Sequence, residues 1–150
     1  WMGDYNNVLN SLNQAAEIFK FKLNILTLKN LVEKNKKKFE FSNLKFTNFY
    51  DDFKIALKDA DCVMTDTWVS MGEKNYQNKK KLLKIFQVNI KVMKMTKKKS
   101  IFMHCLPAHR NEEVTDDVID SDSSVVWQQA QNRMYVQQSI IEYLFKNVKK

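Results

Sequence analysis

Arginine, glycine, proline and cysteine are all scarce in this chain, with two, two, one and two copies among 150 residues. Two cysteines, Cys62 and Cys105, cannot frame a disulfide scaffold, and they fit a reducing compartment. They also lack ligand-spaced partners, so they do not read as a zinc site. No apolar run approaches the ~18 residues of a membrane span, and no signal-like segment opens the chain. A soluble, cytoplasmic protein is the expectation, with no membrane partner. The arginine shortage also bears on the charge. A net charge of +8 would ordinarily point to nucleic acid. Yet 23 of the 25 basic residues are lysine, which lacks the planar fork that reads phosphate and guanine. With 15 asparagines beside so little glycine and proline, the bias is that of AT-rich coding. The runs Lys36-Lys37-Lys38, Lys79-Lys80-Lys81 and Lys97-Lys98-Lys99 then read as solvated faces. A basic nucleic-acid-binding module is a disfavoured alternative.

The length suits one domain over residues 1–150, and 44% hydrophobic content supports a real core. Trp1-Met2 reads as the tail of a strand, and its truncation predicts a poorly paired strand edge beside it. Val8, Leu12, Ala15, Ala16 and Phe19 fall at helical spacing after the polar turn Gly3-Asp4-Tyr5-Asn6-Asn7, where asparagine is a good cap. Residues 23–28 form a short strand-like run, residues 29–39 a lysine-rich helix, and Phe49, Phe53, Ala56 and Leu57 another helix. Cys62-Val63-Met64-Thr65 is a buried-type strand ending at Asp66. A loop over residues 67–78 precedes helical patterns at Leu82, Leu83 and Phe86, then at Val88, Val92 and Met95. Ser100-Ile101-Phe102-Met103 is the next strand, and a polar stretch leads to Ser124-Val125-Val126-Trp127 as the last. A closing helix carries Val136, Ile140, Leu144 and Val148 on one stripe. Strands alternating with helices predict an α/β domain: a doubly wound, mainly parallel sheet with helices on both faces and its first strand truncated.

Ligands of such sheets bind beyond the carboxyl ends of the strands. Asn6 and Asn7, residues 66–72, residues 104–107 and Arg133 all fall at those ends. Each has a bland reading: a capped turn, a capping aspartate, a glycine loop, an inert buried thiol. The opening turn lacks the second and third glycines of a dinucleotide fingerprint, so no cofactor is expected. Adjacent His104 and Cys105 also point to opposite sides of a strand end, which weakens a Cys-His nucleophile pair.

Taken together, the segments WMGDYNNV, TDTWVSMGE, IFMHCLPAHRNEEVTDDVID and AQNR resemble the second half of ornithine carbamoyltransferases. Their order and spacing match from Trp1 to about Lys146, and HCLP followed by EEVTD is specific to this branch of transcarbamoylases. The resemblance implies a Rossmann-like ornithine-binding domain. It implies that Asn7, Asp66, Ser70 and Met71 hold L-ornithine, and that Cys105, Leu106 and Arg133 meet carbamoyl phosphate. Cys105 would be the candidate proton acceptor, Arg133 would steady charge on the carbamoyl side, and Leu106-Pro107 would be a cis bond. Citrulline and phosphate would be the products. The full enzyme would be a homotrimer or a multiple of trimers.

Several positions depart from the family pattern. The S-x-R-T-R loop and His-Pro-x-Gln segment of its carbamoyl-phosphate-binding domain do not occur here. The alternative to a fragment of the enzyme is therefore a non-catalytic remnant. Tyr5 stands where the family usually has glycine, which sets a bulky ring beside the ornithine site. Asn111 replaces another glycine, a mild change because asparagine tolerates the left-handed conformation. Gln128, Gln129 and Gln131 stand where acids are typical, removing partners that could orient Arg133.

Overall fold

Residues 1–3 hold the middle of the sheet. The computed structural model describes residues 1–36, 45–69 and 77–147. Strand β1 (Leu23–Ile25) pairs in parallel with β2 (Thr47–Phe49), and β3 (Cys62–Thr65) pairs in parallel with β4 (Ile101–His104). The opening residues join these pairs. The Leu26 N–H donates to Trp1 O at 2.9 Å and the Gly3 N–H to Leu26 O at 3.0 Å, while the Met2 N–H donates to Met64 O at 3.0 Å. Beyond β4, the Phe102 N–H donates to Ser123 O and the Val125 N–H returns to Phe102 O. The order across the sheet is therefore β2, β1, residues 1–3, β3, β4, residues 123–125. That is a doubly wound order, and its winding reverses between Met2 and Met64. The expected ragged edge beside Trp1 is absent, because the opening residues are bonded on both sides.

Side-chain alternation along these strands feeds two cores. Trp1, Leu23 and Ile25 pack with Tyr5, Leu9 and Ala16 on one face, with Met64 against them. Met2, Leu26, Val63 and Phe102 pack on the other with Ala56, Leu83, Val92, Val118 and Val126. Helix α1 (Asn7–Phe19) covers the first face. Its buried residues are Leu9, Asn13 and Ala16, one stripe at i, i+4, i+7, so Phe19 is left exposed. Helices α3 (Phe53–Leu57), α4 (Gln77–Leu83), α5 (Ile90–Met93) and α6 (Asp116–Ile119) supply the second face. Asp52 and Asn89 cap α3 and α5 by accepting from the second and third helical N–H groups. Helix α2 (Lys29–Lys36) follows β1, and residues 37–39 of the predicted helix lie outside the described residues.

Three elements differ from the sequence reading. Phe49 belongs to strand β2, and the helix assigned to it starts only at Phe53. The polar stretch before Ser123 contains α6, whose Val118 and Ile119 are buried. The strand expected over residues 124–127 is a single bridge at Ser124. Val126 already begins α7 (Val126–Asn147), which carries Trp127 at 62% exposure. The stripe Val136, Ile140 and Leu144 on α7 is exposed, and Val148 lies outside the described residues.

Candidate active site

The site forms where β3 and β4 end together. Thr65 and His104 are register partners in the parallel ladder, so the next residues, Asp66 and Cys105, emerge side by side at the carboxyl rim. Asp66 is buried and accepts three hydrogen bonds. Asn6 Nδ2 donates to Oδ2 at 2.7 Å, the Thr67 N–H to Oδ1 at 2.8 Å, and the Cys105 thiol to Oδ1 at 3.0 Å. Residues separated by 60 and by 39 positions thus meet on one carboxylate.

The Cys105 thiol is pushed up to about 12. Burial is the largest cause, followed by its hydrogen bond to Asp66 and the Asp66 charge. The charge of Arg133 acts in the opposite direction on the same thiol. A sulfur in this state keeps its proton at neutral pH and donates it to Asp66. In this arrangement Cys105 is the donor of the pair and Asp66 the acceptor.

His104 is fully buried behind the rim. Its Nδ1 accepts from the Leu106 N–H at 2.9 Å, which leaves Nε2 to carry the ring proton, 3.3 Å from Glu113 Oε1. Glu113 Oε1 also accepts from the His109 N–H at 2.5 Å. Leu106 sits at φ 54°, and the Leu106-Pro107 bond is cis. The loop over residues 104–107 is thus held from within by the imidazole. Asn111 takes φ 63°, the left-handed conformation foreseen for it.

Arg133 lies on exposed α7, one turn beyond Gln129. Gln129 Oε1 accepts from the His104 N–H at 3.1 Å and so ties α7 to the end of β4. The glutamine at this position is a strut, and the loss of an acid there leaves no empty place. Gln128 is exposed, and Gln131 Nε2 donates to Tyr135 Oη at 2.9 Å. Tyr5 does not crowd the rim. Its ring is buried in the first core among Trp1, Leu9 and Ile25, stacked on Phe49 with centroids 6.3 Å apart.

Of the other expected site residues, Asn7 is exposed on the first turn of α1, while Ser70 and Met71 lie outside the described residues. Asn6 was placed at the rim only as a cap and Gln129 only as a lost acid, so their bonds to Asp66 and His104 were not foreseen. A capping asparagine looks the same in sequence whether or not its amide reaches a distant carboxylate. Asp66, His104 and Cys105 bring ligand-type atoms within 4.8 Å of one another, as do His109, Glu112 and Glu113. Within them Asp66 accepts from three donors, His104 Nδ1 accepts from the Leu106 N–H, and Glu112 pairs with Lys80 at 2.7 Å.

The sequence and the fold have counterparts among known proteins. The family described as aspartate/ornithine carbamoyltransferase, Asp/Orn binding domain, matches residues 1–144. The ornithine carbamoyltransferase of Bradyrhizobium diazoefficiens is 47% identical over 99% of this chain and 49% of its own length. That of Rhodopseudomonas palustris is 48% identical over 95% of this chain and 46% of its own. The crystal structure of ornithine carbamoyltransferase from Burkholderia thailandensis superposes with a TM-score of 0.83 at 39% identity, over 96% of this chain and 46% of that one. The Pyrococcus furiosus enzyme gives 0.80 at 37% identity, over 99% and 49%. The chain thus spans about half the length of the curated relatives it matches. With its doubly wound sheet and its rim of Asp66 and Cys105, this chain belongs to the aspartate/ornithine carbamoyltransferase family, as that family's Asp/Orn-binding domain.

Proposed function

We propose that this chain is the ornithine-binding half of an ornithine carbamoyltransferase, a cytoplasmic enzyme assembled from several identical subunits. The reaction moves the carbamoyl group of carbamoyl phosphate to the δ-amino group of L-ornithine. The observation that carries the reading is the half-buried Asp66–Cys105 pair at the carboxyl rim of β3 and β4, beside the switch point of the sheet, with the charge of Arg133 acting on the same thiol.

In this reading Asp66 receives an ammonium of ornithine, and Asn7, Ser70 and Met71 complete the grip on the amino acid. The Cys105 proton is turned towards Asp66, so sulfur lone pairs are left to accept weakly from the δ-amine and orient it. The neutral amine forms the new C–N bond at the carbamoyl carbon. The C–O bond to phosphate breaks with its electron pair, and the departing phosphate, the strongest base generated in the step, takes the proton shed by nitrogen. Arg133 and the Leu106 segment steady the carbamoyl group while charge grows on its oxygen.

A citrulline assay tests this, run on the chain alone and on the chain joined to the carbamoyl-phosphate-binding half of a relative. The chain alone should form no measurable citrulline. Removing even one donor from an oxyanion site costs about 10²–10³ in rate, and the positioning of two substrates supplies about 7–11 kcal/mol in favourable cases. The joined protein should turn over, and Arg133→Gln should lower its kcat by about 10² or more. Citrulline from the chain alone overturns the two-half argument. A folded but inert joined protein favours the remnant.

A further inference from the structure

One side chain at the rim makes two kinds of bond. Asn6 Oδ1 accepts from the Val8 and Leu9 N–H groups, both at 3.1 Å, and so caps α1, while Nδ2 donates to Asp66 Oδ2 at 2.7 Å. The amide orientation is forced, because its oxygen must face the two N–H donors and its nitrogen the carboxylate. Counting lone pairs on Asp66 then leaves little choice. Oδ1 uses both of its own on the Thr67 N–H and the Cys105 thiol, and Oδ2 uses one on Asn6. Among the described residues, one lone pair of Oδ2 is left to accept from a ligand.

We infer that Asn6 is a positioning residue: it turns the Asp66 carboxylate so that Oδ1 holds the Cys105 thiol and the remaining Oδ2 lone pair faces the ligand's ammonium. This rests on the reading above, that an amino acid binds at Asp66. Few residues can do both jobs. Serine and threonine keep the cap, but their side chains are one bond too short to reach Asp66 while capping. Aspartate keeps the cap and would set a second carboxylate oxygen against Oδ2. Only asparagine caps with an oxygen and still offers a donor at that reach.

The test separates the two jobs. In a Cys62→Ser background, the 150-residue chain is compared with its Asn6→Ser and Asn6→Thr variants. Helical circular dichroism should be unchanged, because the cap is kept. Alkylation of Cys105 by iodoacetamide at pH 9 should quicken by about threefold or more, since the hold of Asp66 on the thiol proton is loosened. In the joined protein, the same variants should raise KM for ornithine about tenfold with a smaller change in kcat. An unchanged alkylation rate in both variants overturns the inference, and so does an unchanged KM. If the joined protein makes no citrulline at all, the carbamoyltransferase reading falls. The alkylation rates then still decide whether Asn6 holds Asp66.

Discussion

Gln129→Leu probes the strut between α7 and β4. The substitution keeps a good helix former while removing the acceptor at 3.1 Å from the His104 N–H. His104 is fully buried, so its orphaned N–H finds no water in exchange. An unsatisfied buried donor costs about 1–3 kcal/mol. For a domain of this size, about 2 kcal/mol corresponds to a fall in Tm of about 4–8 °C. Gln129→Glu is the matching control. A carboxylate accepts from the same N–H more strongly, and it can also pair with Arg133 four residues on, adding about 0.3–0.5 kcal/mol. Thermal melts of the three proteins in one buffer are the assay, with the order Glu at or above Gln and Leu clearly below. A Leu variant that melts with the parent refutes the strut. A Glu variant well below the parent shows that the family's acid has no place here.

Other consequences follow from single residues. Gly3 has φ 123°, and a Cβ there would meet Thr65 Oγ1 at 3.2 Å and Trp68 Nε1 at 3.3 Å; Gly3→Ala should cost about 1–3 kcal/mol in urea unfolding. Tyr5→Gly restores the family's usual residue yet removes a buried, stacked ring, so it should destabilise by about 3–5 kcal/mol, and an unchanged melt contradicts the core placement. Stability should also follow pH with a defined sign. Burial pushes Cys105 and Tyr5 up to about 12. The unfolded chain therefore releases those protons first above about pH 9, and stability falls as pH rises through that window. Urea midpoints should decline from about pH 9 upward, and a profile flat from about pH 8 to 11 counts against the burial of these two groups.

Where the sequence was legible, one residue property dominated. The β3 and β4 segments are apolar runs that stop abruptly at Asp66 and His104, so both their extents and the rim could be read. Strand β2 is Thr47-Asn48-Phe49, held by its pairing to β1, and such polar residues give no local signal. Helix α6 opens with Asp116-Asp117, which resembles a loop until Val118 and Ile119 are seen to be buried. Trp127 reads as strand by propensity, but Val126 turns inward at the start of a helix and Trp127 faces out. The candidate site shows the same division. Asp66, Cys105 and Arg133 stood out through resemblance, whereas the contacts that hold them depend on register. The Asn6–Asp66 and Gln129–His104 bonds span 60 and 25 positions, and nothing local to either partner announces them.

The choice of amino acid tests the central claim most directly, because the family takes its domain name from both aspartate and ornithine. The measurement is kcat/KM of the joined protein for ornithine and for aspartate at saturating carbamoyl phosphate. Asp66 offers a buried carboxylate to the ligand, which favours a second ammonium and opposes a second carboxylate. The account predicts citrulline from ornithine and no detectable carbamoylation of aspartate, with Asp66→Asn abolishing the preference. Carbamoyl-aspartate as the main product, or a selectivity for ornithine untouched by Asp66→Asn, would contradict it.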